Sequence, residues 1–121
     1  MNGPTTTEET NHVSNILKHY AHAKEKHPYF CDEITAFNTH VAIFRLNQTR
    51  NLIDWRKSKG CVTAEMLARC ELLEAEEAFL SGDKHHAVEE LYDCIAVCLR
   101  TIDMLEGRQK LGRPETKGET E

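Results

Sequence analysis

Residues 70–105 read CELLEAEEAFLSGDKHHAVEELYDCIAVCLRTIDML, and they decide the fold. On the far side of the break Ser81-Gly82-Asp83, the apolar residues Val88, Leu91, Ile95, Cys98, Ile102 and Leu105 recur at steps of three and four. That is the period of one face of an α-helix. The break is a tight turn, and Asp83 is suited to cap the helix that follows, since its carboxylate can accept a free N-terminal amide. Two helices joined so closely form an antiparallel αα-hairpin. Each arm carries an acidic pair at i,i+3, Glu71/Glu74 and Glu90/Asp93, and this spacing sets both members on one face. An antiparallel hairpin can bring the two pairs level. Four converging carboxylates repel one another unless a hard cation lies between them, and Mg²⁺ takes such oxygen ligands. The spacing alone is not specific, because Glu74/Glu77 and Asp103/Glu106 share it and read as a solvated face. Asp93 carries more weight. It is the one charge between Leu91 and Leu99, in a run that reads as buried helix. A buried acid needs a partner, either a cation or a lysine or arginine of a neighbouring helix. Apolar surroundings and like charges would also raise its pKa.

Working outward, the hairpin's first arm starts at Thr63 as N-cap and runs to Leu80, and the second spans Lys84–Glu106. Before them, a helix over Asp32–Ser58 is expected, stopped by Gly60, with Ile34, Phe37, Val41, Phe44, Leu52 and Trp55 as its apolar positions. An earlier helix over Val13–Lys26 stops ahead of Pro28. Residues 1–12 read as a disordered lead-in, 13–107 as one all-α domain and 108–121 as a disordered polar tail. Long, thinly apolar helices in so short a chain point to a bundle completed by a second copy.

Composition excludes several alternatives. With 121 residues the chain has one domain's worth of core. A hydrophobic fraction of 40% is too high for a wholly disordered chain. A net charge of −5 and a pI near 5.8 argue against a grip on duplex nucleic acid. No apolar run approaches the ~20 residues that cross a bilayer. The opening MNGPTTTEETNH has neither a basic nor an apolar signal region, so a cytoplasmic location is expected. The five cysteines are odd in number and form no C-x-x-C, and they read as reduced, mostly buried thiols. The histidines lack the Glu-x-x-His pairs that a di-iron bundle needs on its core helices, and read as surface residues.

The hairpin resembles the signature of the all-α nucleoside triphosphate pyrophosphohydrolases, the MazG-like and dimeric-dUTPase superfamily. That signature is E-E-x-x-E, a spacer, then E-x-x-D. Cys70-Glu71-Leu72-Leu73-Glu74 corresponds to the first half and Glu90-Leu91-Tyr92-Asp93 to the second, with fifteen residues between. The leading glutamate of the pattern is Cys70 here. The preceding helix, ending Asn-Leu-Ile-Asp-Trp-Arg-Lys-Ser-Lys-Gly, is also similar, and the likeness covers roughly residues 40–106. It implies a four-helix MazG-like bundle, assembled as a homodimer or homotetramer. It also implies hydrolysis of an NTP or dNTP between the α and β phosphates, with Glu71, Glu74, Glu90 and Asp93 holding Mg²⁺, or Mn²⁺ in its place. One of the four, most naturally Glu74, can instead orient the attacking water. An acidic chain binds a polyanion only where metal ions reverse the local field.

Around this centre, Arg100 lies seven residues after Asp93, two turns along, and Lys84 opens its helix. Both are phosphate candidates or surface cations. His40, Asn47 and Asn51 form a polar stripe that can face a base or ribose, or simply water. Trp55 can stack on a base, though a tryptophan there reads first as core. The competing function is a non-catalytic helical oligomer, acting as a protein-interaction or nucleotide-binding module.

Overall fold

The computed structural model describes the backbone of residues 7–29 and 33–107 and the side chains of 11–29 and 33–107. The elements within them are all helical: α1 Thr7–Lys26, α2 Thr39–Lys57, α3 Ala64–Leu80 and α4 Lys84–Leu105. The all-α class therefore holds. The expected tail, 108–121, lies outside the described residues. The chain divides into two units, Met1–Glu33 and Ile34–Glu121.

The first unit is α1. It starts at Thr7, six residues before the expected Val13. Its last turn closes through the His27 N–H, which donates to the Ala23 carbonyl at 2.8 Å, directly before Pro28. Val13, Ile16, Leu17 and Tyr20 are exposed on it.

In the second unit α2 starts at Thr39, not at Asp32. The Asn38 side chain accepts the Val41 N–H at 2.9 Å and caps the helix there. Upstream, the Thr35 hydroxyl accepts the Phe37 N–H at 3.1 Å, a local turn that competes with helix. The helical spacing from Ile34 through Phe37 thus runs across a cap. Thr63 caps α3 by accepting the Met66 N–H, and Asp83 caps α4 by accepting the His86 N–H at 3.0 Å. Gly82, at φ 86°, turns the chain between them in a conformation that only glycine adopts freely.

α3 is the central element and packs on both α2 and α4. The α3–α4 arms are antiparallel, with the Cys94 thiol donating to the Ala68 carbonyl at 3.5 Å. The core is small: Ala42, Leu46 and Ile53 from α2, Leu73, Ala75 and Ala78 from α3, and Ala87 from α4. So many alanines let the helix axes approach closely, but they bury little apolar area. The stripe expected to be buried along α4 is largely outside. Of its members, Val88, Ile95, Ile102 and Leu105 are between 40% and 73% exposed and Cys98 is exposed as well. Trp55 is also exposed, at 57%, with the Lys59 ammonium 5.4 Å from its ring, which corrects its placement in the core. The free thiols of Cys61 and Cys98 are exposed and those of Cys70 and Cys94 half-buried, against an expectation of mostly buried thiols; Cys31 lies outside the described residues.

Candidate metal centre

The antiparallel arms bring the acidic pairs together. One carboxylate oxygen each from Glu71 on α3 and from Glu90 and Asp93 on α4 lies within 4.8 Å of the others. Opposed ligands at ~2.1 Å from a cation are about 4.2 Å apart, and Ca²⁺-like distances allow more. The three oxygens therefore fit around one hard cation with small rotations, and they leave other positions of its shell open.

Glu74 takes a different place. Its Oε2 accepts from Arg50 Nη2 of α2 at 2.9 Å and from the Cys70 thiol at 3.8 Å. Glu71 and Glu90 lie close enough to Glu74 to shift its titration, but Glu74 is not one of the three converging acids. Glu90 in turn lies 2.7 Å from the exposed imidazole of His86, one turn earlier on α4.

The charges divide accordingly. Burial, then hydrogen bonding to Glu90 and the nearby charge of Glu74, push Glu71 up to about 8. Burial also pushes Glu74 upward, but the Arg50 hydrogen bond, with those from Glu90 and Glu71, outweighs it and holds Glu74 below the usual carboxylate range. Glu71 thus keeps a proton at neutral pH, beside the ionised Glu74. A bound cation would take that proton's place. Burial raises the Cys70 thiol, which leaves it a neutral donor to Glu74. The hydrogen bond to Glu90 raises His86. Asp93 is exposed, so the argument that it is buried among apolar residues does not hold. The strained acid of the cluster is Glu71.

Of the supporting residues, Arg100, Lys84, His40, Asn47, Asn51 and Trp55 are all exposed, and the structure brings none of them into the trio. Asn47 does share a helical face with Arg50, three residues on, so that side of α2 runs beside the acids. Sequence reasoning passed over two arginines. Arg50 reaches Glu74, and Arg45 donates to both oxygens of the buried Glu76, at 3.3 and 3.2 Å, while stacking 4.3 Å from the Phe37 ring. Their pairings depend on the register between α2 and α3, which no motif encodes.

Within the described residues no helix is long and apolar enough to cross a membrane. Comparison with protein-family models, with curated proteins and with solved structures finds no match for this chain.

Proposed function

We propose that the chain is a metal-dependent nucleoside triphosphate pyrophosphohydrolase, acting on an NTP or dNTP to give the monophosphate and pyrophosphate. The observation that supports it most is the convergence of Glu71, Glu90 and Asp93 from two antiparallel helices within 4.8 Å. Those residues would hold Mg²⁺ or Mn²⁺, which supplies charge neutralisation to the polyphosphate and an acidified water. Glu74, which accepts from Arg50 beside the trio, would be the carboxylate to orient that water. A panel of canonical and modified NTPs and dNTPs with Mg²⁺ is expected to release pyrophosphate. Orthophosphate as the sole first product would rule out this chemistry.

The uncovered apolar residues of α4 support a homodimer or homotetramer, whose shared face would shield Val88, Tyr92 and Ile95. They equally favour the second reading, a helical interaction module without turnover. Light scattering at tens of micromolar is expected to give twice or four times the 13.9 kDa chain mass. A monomer at that concentration would count against assembly. Divalent-ion binding by the isolated protein separates the enzyme from the interaction module.

A further inference from the structure

The end of α1 carries a cleft lined by none of the residues of the acidic centre. Tyr20, Ala23 and Lys24 stand at i, i+3 and i+4 and so share one face of the helix. His27 continues that face just past the helix, where its N–H closes the last turn on the Ala23 carbonyl. Pro28 follows, and its fixed φ and missing N–H keep the chain from running on as helix. Tyr29 is thereby left beside the face. Tyr20, Ala23, Lys24, His27 and Tyr29 together line a cleft of about 470 Å³. Small-ligand sites span about 300 to 1,000 Å³.

The lining combines two tyrosine rings with a lysine and a histidine. Neither ring belongs to a core, since Tyr20 is 59% and Tyr29 90% exposed. The Lys24 ammonium lies 4.9 Å from the Tyr20 ring centroid, so that ring holds a cation at the wall of the cleft. Tyr29 offers an open ring face, and such a face stacks on a nucleobase of any identity. Ala23 is the smallest side chain of the lining and leaves room between the larger ones. A lysine is a point charge suited to phosphate, and His27 adds a ring nitrogen. The net charge of −5 opposes a long polyanion far more than a single small one. We propose that this cleft binds a mononucleotide, with its base on Tyr29 and its phosphate against Lys24 and His27. The contact needs no metal and stands apart from the metal-dependent reading above.

The test is a titration of AMP into the full chain in EDTA, followed by nuclear magnetic resonance of the backbone amides. EDTA keeps divalent ions away from the carboxylates of α3 and α4. Saturable shifts are expected, concentrated in residues 20–29. Adenosine lacks the phosphate and inorganic phosphate lacks the ring, and each should bind at least ~10-fold more weakly than AMP. Tyr29→Ala is expected to weaken AMP at least ~5-fold by removing one stacked contact. Lys24→Gln should weaken it at least ~3-fold by removing a charge-assisted one. Both residues are exposed, so neither change should lower the melting temperature. Lys18→Gln alters a lysine of α1 outside the cleft and should leave the affinity as it is. Absence of saturable AMP shifts, shifts centred on residues 64–105, or equal affinity in all three variants overturns the proposal. Inorganic phosphate bound as tightly as AMP reduces the cleft to a plain anion contact and overturns it too. An affinity for single-stranded oligonucleotides that rises with their length assigns the cleft to nucleic acid instead, and likewise overturns it.

Discussion

Glu71→Gln is expected to lower pyrophosphate release by at least ~10²-fold, because a metal ligand serves both binding and stabilisation of transition-state charge. The substitution keeps the side chain's shape and removes its ability to ionise. The loss therefore falls on chemistry and not on folding. Glu77→Gln is the control. Glu77 lies on α3, one turn beyond Glu74, and forms the other acidic pair of that helix, but it is not among the three converging oxygens. Its replacement should leave the rate within about twofold, as expected of a substitution away from the reacting groups. Steady-state rates of both variants decide the matter, and equal behaviour would mean that the trio is not the reacting centre.

The second large effect couples metal to pH. Glu71 has its pKa raised from 4.5 to about 8 by folding. Between those values the folded chain binds a proton that the unfolded chain has released, so without metal stability falls as pH rises through this window. His86 acts in the same direction. Its pKa is raised above 6.5, so its stabilisation is present below that value and fades at higher pH. Glu74 acts on the acid side, because its pKa is lowered from 4.5 and its contribution is lost as pH falls below the carboxylate range. In EDTA, melting temperatures should decline from pH 5 to pH 8, and less steeply in Glu71→Gln. If Mg²⁺ replaces the Glu71 proton, as the proposed site requires, it is expected to reverse the decline. At a hundredfold excess over Kd it adds roughly 2.7 kcal/mol, or on the order of 10 °C for a domain of this size. The gain should be larger at pH 8 than at pH 6. Asp93→Asn removes an exposed like charge and should match wild type in EDTA while losing most of the Mg²⁺ gain. Superimposable wild-type melting curves in EDTA and Mg²⁺ would overturn the metal centre.

The hairpin was legible in the sequence because its determinants are local. The caps Thr63 and Asp83 lie within three residues of the amides they bind, and Gly82 fixes the turn between the arms. With the turn fixed, the level of Glu71 against Glu90 and Asp93 follows from helix geometry. The start of α2 was not legible. Its apolar spacing continues upstream of Asn38, and a period carries no information about which polar residue will break it. The burial of Asp93 and Trp55 was misjudged for another reason. Apolar neighbours in sequence predict burial only if something covers them, and on α4 much of that face is open. Arg45 and Arg50 were missed because a cation on a helix looks the same from the sequence whether it meets water or an acid across a helix interface.

The three acids of the trio all lie between residues 71 and 93, on either side of a three-residue turn. No distant segment has to be recruited before they meet. Sites assembled by such short loop closures can form early on the folding path, while those joined by remote segments form late. A divalent ion should therefore find its ligands in the partly folded hairpin, before α2 has docked. In stopped-flow refolding, Mg²⁺ would then speed the folding limb more than it slows the unfolding limb. The cation would act as a nucleating cross-link as well as a reagent, and Asp93→Asn should fold at the metal-free rate however much Mg²⁺ is present.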